Sequence, residues 1–240
     1  MTQYLSATED LPVNIYNPIE LNRHWKYNIM YIYECLSLAV LCLVNVAFDS
    51  LSTSLFIHIK CQLDMLGHRL ENIGKNSNCS QDFVCQQLKD CVRYYNRILM
   101  LSHDIENLVS VPISLQIACS VFVLIANFYA MSLLSDPEEL ANFIKFALYQ
   151  SCMLTQIFML CYSANEISLK SSELSLNLYM SDWYNWNKIN RKLVLLMMIR
   201  FDEPIRINTI NRCYSFNLPL FVSIVNSSYS YFALLNRING

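Results

Sequence analysis

Glycine is almost missing from this sequence: Gly67, Gly74 and Gly240 are the three in 240 residues. Phosphate-cradling loops of the G-x-G-x-x-G or P-loop kind need clustered glycines, so nucleotide binding of that type is excluded. Charge is scarce too. Asp, Glu, Lys and Arg make up 15% of the chain, against about 25% in soluble domains, too little to wet an ordinary surface. A net charge of −2 gives no reason to expect a nucleic-acid partner. HExxH, G-x-S-x-G and other catalytic signatures are missing, so the chain is read as no enzyme and as needing no cofactor. His58, Cys61, His68 and Cys79 match no zinc spacing and no Cys-x-x-Cys occurs, so no metal site is expected. Residues 1–28 carry Glu9, Asp10, Glu20, Arg23 and Lys26 with no apolar core, so no secretory signal peptide is expected there.

What is present is apolar. Hydrophobic residues reach 54% and mean hydropathy is +0.28. Ile29 to Phe48 is a twenty-residue run containing one charge, Glu34, with Asp49 just beyond it. Twenty residues at about 1.5 Å each cover roughly 30 Å, one hydrocarbon thickness. Leu51, Leu55, Ile59, Leu63, Leu66 and Leu70 continue at helical steps, predicting one long helix that leaves the membrane and carries an apolar stripe onward. After a break at 74–80, Val84, Leu88, Val92, Tyr95 and Leu99 predict a second amphipathic helix. Leu108–Leu134 is uncharged for 27 residues, Phe146–Ala164 for 19 and Cys213–Leu235 for 23. Between the last two runs, Leu193–Ile199 is a seven-residue apolar core, too short to span, which predicts a helix on protein or at the interface. Ten cysteines suggest a disulfide scaffold only at first sight. Cys35, Cys42, Cys119, Cys152 and Cys161 lie in apolar runs, where cysteine acts as a small hydrophobe.

The fold class expected is therefore all-α, a polytopic helix bundle in a lipid bilayer with long cytoplasmic extensions. Basic residues orient it. Segment 59–107 holds six Lys or Arg and segment 165–212 holds seven, which places both in the cytoplasm by the positive-inside rule. The expected order is an outer segment 1–28, span 29–58, cytoplasmic 59–107, span 108–134, outer turn 135–142, span 143–164, cytoplasmic 165–212, span 213–236 and outer tail 237–240. Both ends then face outward. An outward N-terminus without a signal peptide needs another route across, which predicts spans preceding this chain. The Asn78-Cys79-Ser80 sequon falls on the cytoplasmic side and is expected to stay unmodified.

One stretch carries a resemblance. Gln156, Phe158, Cys161, Asn165, Glu166, Ser168, Ser171, Tyr179, Trp183 and Tyr184 match the sixth span and following cytoplasmic segment of insect odorant receptors, with Ala164 in place of the family's glycine. Leu218, Pro219, Phe221, Ser223, Ser228, Tyr229, Ser230, Tyr231 and Phe232 resemble that family's last span, which lines an ion pore with one copy per subunit of a tetramer. The resemblance covers roughly residues 25–240 and implies family spans four to seven. It implies a multi-pass subunit in the plasma membrane of olfactory-neuron dendrites. There the chain binds small volatile odorants and forms an odorant-gated cation channel with a co-receptor. A gustatory receptor is the neighbouring alternative, although its Thr-Tyr-x-x-x-x-x-Gln-Phe is missing. A four-span assembly protein without ligand is the alternative from another class.

Candidate residues follow from that reading. Asn226, Ser227, Ser228 and Ser230 are many polar groups for a lipid-facing helix, suited either to helix–helix hydrogen bonds or to a wet lining. The resemblance makes Ser227, Ser230, Leu234 and Ile238 pore and gate residues. An odorant pocket in the outer half of the bundle draws on Tyr31, Glu34, Leu38, Phe146, Tyr149 and Gln150, each of which ordinary packing also explains. Trp183, Tyr184, Trp186 and Leu193 are candidates for a subunit interface or for burial within one chain. Asp49 and the turn Asp136, Glu138, Glu139 read as interfacial or solvated acids, the turn also as a place to enrich cations near a pore mouth.

Overall fold

The fold follows from helix length against membrane thickness. A computed structural model describes residues 24–75, 80–132, 140–209 and 214–239. These form five α-helices: α1 (His24–Glu71), α2 (Gln81–Ser132), α3 (Leu140–Tyr179), α4 (Lys188–Phe201) and α5 (Leu218–Asn239). A 3-10 turn, Trp183–Asn185, sits between α3 and α4. At about 1.5 Å per residue, α1, α2 and α3 are roughly 72, 78 and 60 Å long. Each is at least about twice the ~30 Å hydrocarbon core, so each has an apolar half suited to lipid and a half that lies outside it. Three helices, α1 to α3, are long and apolar enough to cross a membrane, and α5 carries a shorter apolar stretch, Leu218–Leu234.

The chain divides into two compact units, residues 1–51 and 52–240, the division falling inside α1. The described part of the first unit is helix, and its apolar side chains point outward: Ile32, Leu36, Leu41 and Leu43 are all exposed. Such a surface is stable against acyl chains and not against water.

The second unit holds the core. Ser52, Phe56, Ile59, Leu63, Leu66 and Leu70 are buried along α1 at steps of four and three. That is the expected stripe, shifted so that Leu51 is exposed. On α2 the buried stripe is Val84, Leu88, Cys91, Tyr95, Ile98, Ser102, Ile105, Val109 and Ile113. Cys91 and Ile98 take the places expected for Val92 and Leu99, which are half-buried. The amphipathic helix and the uncharged run after it are one continuous helix that passes through Pro112. The lost proline N–H is tolerated in such helices because side chains re-satisfy the backbone. Two residues on, the Ser114 hydroxyl donates to the Ser110 carbonyl at 2.6 Å.

In the apolar half, α2, α3 and α5 pack around Leu124, Ile157, Cys161 and Ile224, with Met153, Leu154, Leu220 and Phe221 closing over them. In the polar half, α4 lies against α2 and α3. Its seven-residue apolar run belongs to a 14-residue helix packed on protein. The Asn187 side chain caps α4 by accepting from Asn190 N at 2.7 Å, satisfying one orphan donor of the first turn.

Candidate functional site

Three regions carry side chains that packing alone does not explain. The first is α5, a helix with two unlike faces. Its inner face buries Ile224 and Ser228. Phe221 meets Phe158 edge-on with centroids 5.4 Å apart, and Phe232 lies 5.7 Å from Phe128. The Ser228 hydroxyl donates to the Ile224 carbonyl at 2.9 Å, so it enters the core already satisfied. The opposite face is exposed at Ser223, Asn226, Ser227, Ser230, Leu234 and Arg237. Positions 223, 227, 230, 234 and 237 recur at steps of four and three, one stripe within about 40° of a common direction. The stripe is polar apart from Leu234. Of the expected pore residues, Ser227, Ser230 and Leu234 share it. Ile238 lies in α5, and its side chain is outside the described residues.

The second region lies near the start of α3 and the end of α2. Asn127 and Gln150 are both buried. Asn127 Nδ2 donates to Gln150 Oε1 at 2.8 Å and to the Phe146 carbonyl at 3.2 Å. Gln150 Nε2 is buried with no hydrogen-bond partner. Phe146 and Gln150, one helical turn apart, are thus brought together by a residue that the sequence reading passed over. Asn127 is detectable in principle, as a lone amide deep in an uncharged run. Tyr149, next to Gln150 on the helix, points away and is half exposed. Phe128 and Tyr129 are half-buried at the same level of α2. In the first unit, Tyr31 and Leu38 are exposed on α1, while Glu34 is buried and Asp49 half-buried. The acidic turn at 136–139 lies outside the described residues.

The third region is the polar half, held by specific bonds. Lys60 Nζ donates to Glu166 Oε2 at 2.7 Å, and Lys170 bridges Asp64 at 3.4 Å and Glu173 at 2.9 Å. The hydrogen bond to Glu166 holds the Lys60 pKa above its ordinary 10.5. Gln81 on α2 clasps α4, its Oε1 accepting from Asn187 N at 2.9 Å and its carbonyl accepting from Asn190 Nδ2 at 3.0 Å. Ser171 Oγ accepts from Ile205 N at 2.8 Å, fixing the segment after α4 onto α3. Burial lifts the Cys91 thiol pKa to about 11, so it stays protonated and inert. Among the described residues, no three His, Cys, Asp or Glu gather as a metal site.

The four residues considered for an interface separate here. Trp186 is buried within the chain, its ring lying 3.0 Å from where a Cβ on Gly74 would stand. Trp183 is half-buried against Tyr179, with ring centroids 6.3 Å apart. Tyr184 is exposed. Leu193 lines a groove of about 380 Å³ on α4 with Lys188, Ile189, Lys192 and Leu196. Ile189 and Ile199, at 75% and 71% exposure, continue an uncovered apolar face.

This geometry has known counterparts. The family described as "7tm Odorant receptor" matches residues 1–229. Odorant receptor 46a, isoform A, of Drosophila melanogaster is 49% identical over 99% of this chain and 62% of its own length. Odorant receptor Or2 of Anopheles gambiae is 26% identical over 88% of this chain and 57% of its own. Among solved structures, the insect olfactory receptor OR5 of Machilis hrabei in complex with eugenol superposes with a TM-score of 0.79. It is 20% identical and covers 93% of this chain and 56% of the receptor. The chain therefore spans somewhat over half the length of the relatives it matches.

Proposed function

Since this chain belongs to the seven-transmembrane odorant receptor family, we propose that it is a subunit of an odorant-gated cation channel, with α5 as the pore helix. The family is one of multi-pass membrane receptors and not of enzymes. The observation that carries the pore reading is the polar stripe Ser223, Ser227, Ser230 on the face of α5 that its own subunit leaves uncovered. The Ser230 hydroxyl donates to the Asn226 carbonyl at 2.8 Å within its own helix, and a lone helix facing lipid gains nothing from the other two exposed hydroxyls. Around a symmetry axis those hydroxyls line a water-filled path, and Leu234 narrows it one turn beyond Ser230 as a hydrophobic constriction. Ile238 is the next candidate along the same helix.

The partners proposed are a co-receptor subunit in a tetramer, the lipid bilayer and a small volatile ligand. The uncovered apolar face of α4, with Leu193, and the exposed Tyr184 are the parts of the polar half proposed to meet a neighbouring subunit. Trp183 and Trp186 are proposed to contribute to the same interface from within the chain. In the second unit, Phe146, Tyr149 and Gln150 on α3 are proposed as ligand-contact residues; in the first unit, Tyr31, Glu34 and Leu38 on α1 are proposed separately as such. A complex of a related fold with eugenol supports a ligand of that size. The compartment proposed is the plasma membrane of olfactory-neuron dendrites.

The test is electrical. With the co-receptor co-expressed, Leu234→Ala is expected to leave a constitutive leak, and Ser230→Ala to change unit conductance. Phe146→Ala and Tyr149→Ala are expected to move the odour dose–response without changing conductance. Unchanged conductance and gating in Leu234→Ala sinks the pore assignment.

A further inference from the structure

Arg237 lies on the same face of α5 as the polar stripe. From Ser223 the stripe steps to Ser227, Ser230 and Leu234, and the next step of three is Arg237. Its helical angle falls within about 60° of Leu234, on the side of Ser230. Arg237 is exposed in its own subunit and sits in the last turn of α5. No salt bridge to an acid is found for it among the described residues.

Resting on the pore reading above, we infer that Arg237 is a charge filter: a guanidinium at the outer mouth of the pore, one turn beyond the Leu234 constriction, that selects against divalent cations. Each copy of the chain in the assembly adds one fixed positive charge to that ring. Positive rings repel cations, and the barrier scales with the charge of the entering ion. A potential that depletes monovalent cations roughly threefold depletes divalent ones roughly tenfold, because the exponent doubles with valence. The chain thereby sets calcium entry through its copies of Arg237, while the serines below set the width of the path. The bland role of an arginine here is to complement the carboxyl end of the helix dipole. That role affects folding and leaves ion selectivity unmoved.

Selectivity is read as the reversal potential of odour-evoked current with calcium outside and sodium inside, for the chain expressed with its co-receptor. Arg237→Gln is expected to raise the calcium-to-sodium permeability ratio severalfold, with a smaller change in high salt, where the charge is screened. Arg237→Lys is expected to keep the original ratio. Should Arg237→Gln fail to reach the surface, Arg237→Cys provides the second route. A cationic methanethiosulfonate applied from outside is expected to restore the original ratio and an anionic one to exceed the Gln value, with the unsubstituted channel as control. A ratio unchanged in Arg237→Gln, or indifferent to the sign of the thiol reagent, overturns the filter. If Ser230→Ala still changes conductance in that case, the pore reading survives alone. If neither variant moves its readout, the pore reading fails with it.

Discussion

Gly74 shows how much one backbone conformation decides. Its φ of 72° is a left-handed value that lets the chain turn out of α1, and its missing Cβ leaves room for the Trp186 ring. Any other residue meets both a strained backbone and an indole 3.0 Å away. Gly74→Ala is therefore expected to lower stability by about 1–3 kcal/mol, read as a lower melting temperature of detergent-solubilised protein. Trp186→Ala in the same chain is expected to recover the steric part and not the backbone part. Equal loss with and without Trp186 would show that the ring does not rest on the glycine. Neither Gly74 nor Trp186 announces this contact in sequence, because 111 intervening residues separate a turn signal from the side chain that fills it. The Asn127–Gln150 amide bond is hidden in the same way: each is a visible polar exception, and only the packing of α2 on α3 pairs them.

The elements themselves were largely legible. Apolar runs of 19 to 27 residues and helical leucine spacing predict α1, α3, α5 and the two parts of α2 by length and period alone. Two features needed the tertiary structure. The Val84–Leu99 helix and the 108–134 run merge into one 52-residue helix, since nothing between them breaks the helical hydrogen bonding and Pro112 sits where it is tolerated. The buried stripe on α2 also turns by one residue to Cys91 and Ile98, a shift set by what it packs on. Between α1 and α3, Lys60 and Glu166 form a partly buried pair at 2.7 Å, with 30% and 19% of their side chains exposed. A double-mutant cycle with Lys60→Met and Glu166→Gln is expected to give a coupling of up to about 1 kcal/mol, since the ammonium remains partly in water. The sign of its alkaline dependence is fixed. A lysine whose folded pKa is raised above 10.5 contributes fully below 10.5 and loses that contribution as pH rises through the raised value. From neutral pH up to about pH 9, the Lys60 contribution to the melting temperature is expected to stay constant; a fall with pH there traceable to Lys60 would contradict the pairing.

At the scale of the whole molecule, the balance between lipid and water governs. By the positive-inside rule the basic segments 59–107 and 165–212 are proposed to lie in the cytoplasm, so Asn78 is expected to carry no glycan. A mobility shift on glycosidase treatment that Asn78→Gln abolishes would invert the topology. The sequence by itself determined the solvent and the period. Few charges, almost no glycine and long apolar runs leave helices as the way to satisfy a backbone in lipid, and the Gln156–Tyr184 and Leu218–Phe232 patterns carried the family. The tertiary structure decided facing. It turned Ser228 inward and Ser227 and Ser230 outward on one helix, buried Trp186 while leaving Tyr184 exposed, and drew Gln150 to Asn127. The physical reason is that periodicity fixes which residues share a face of a helix. Which face is covered depends on neighbours distant in sequence, and their packing is selected by shape and hydrogen bonding that one-dimensional spacing does not encode.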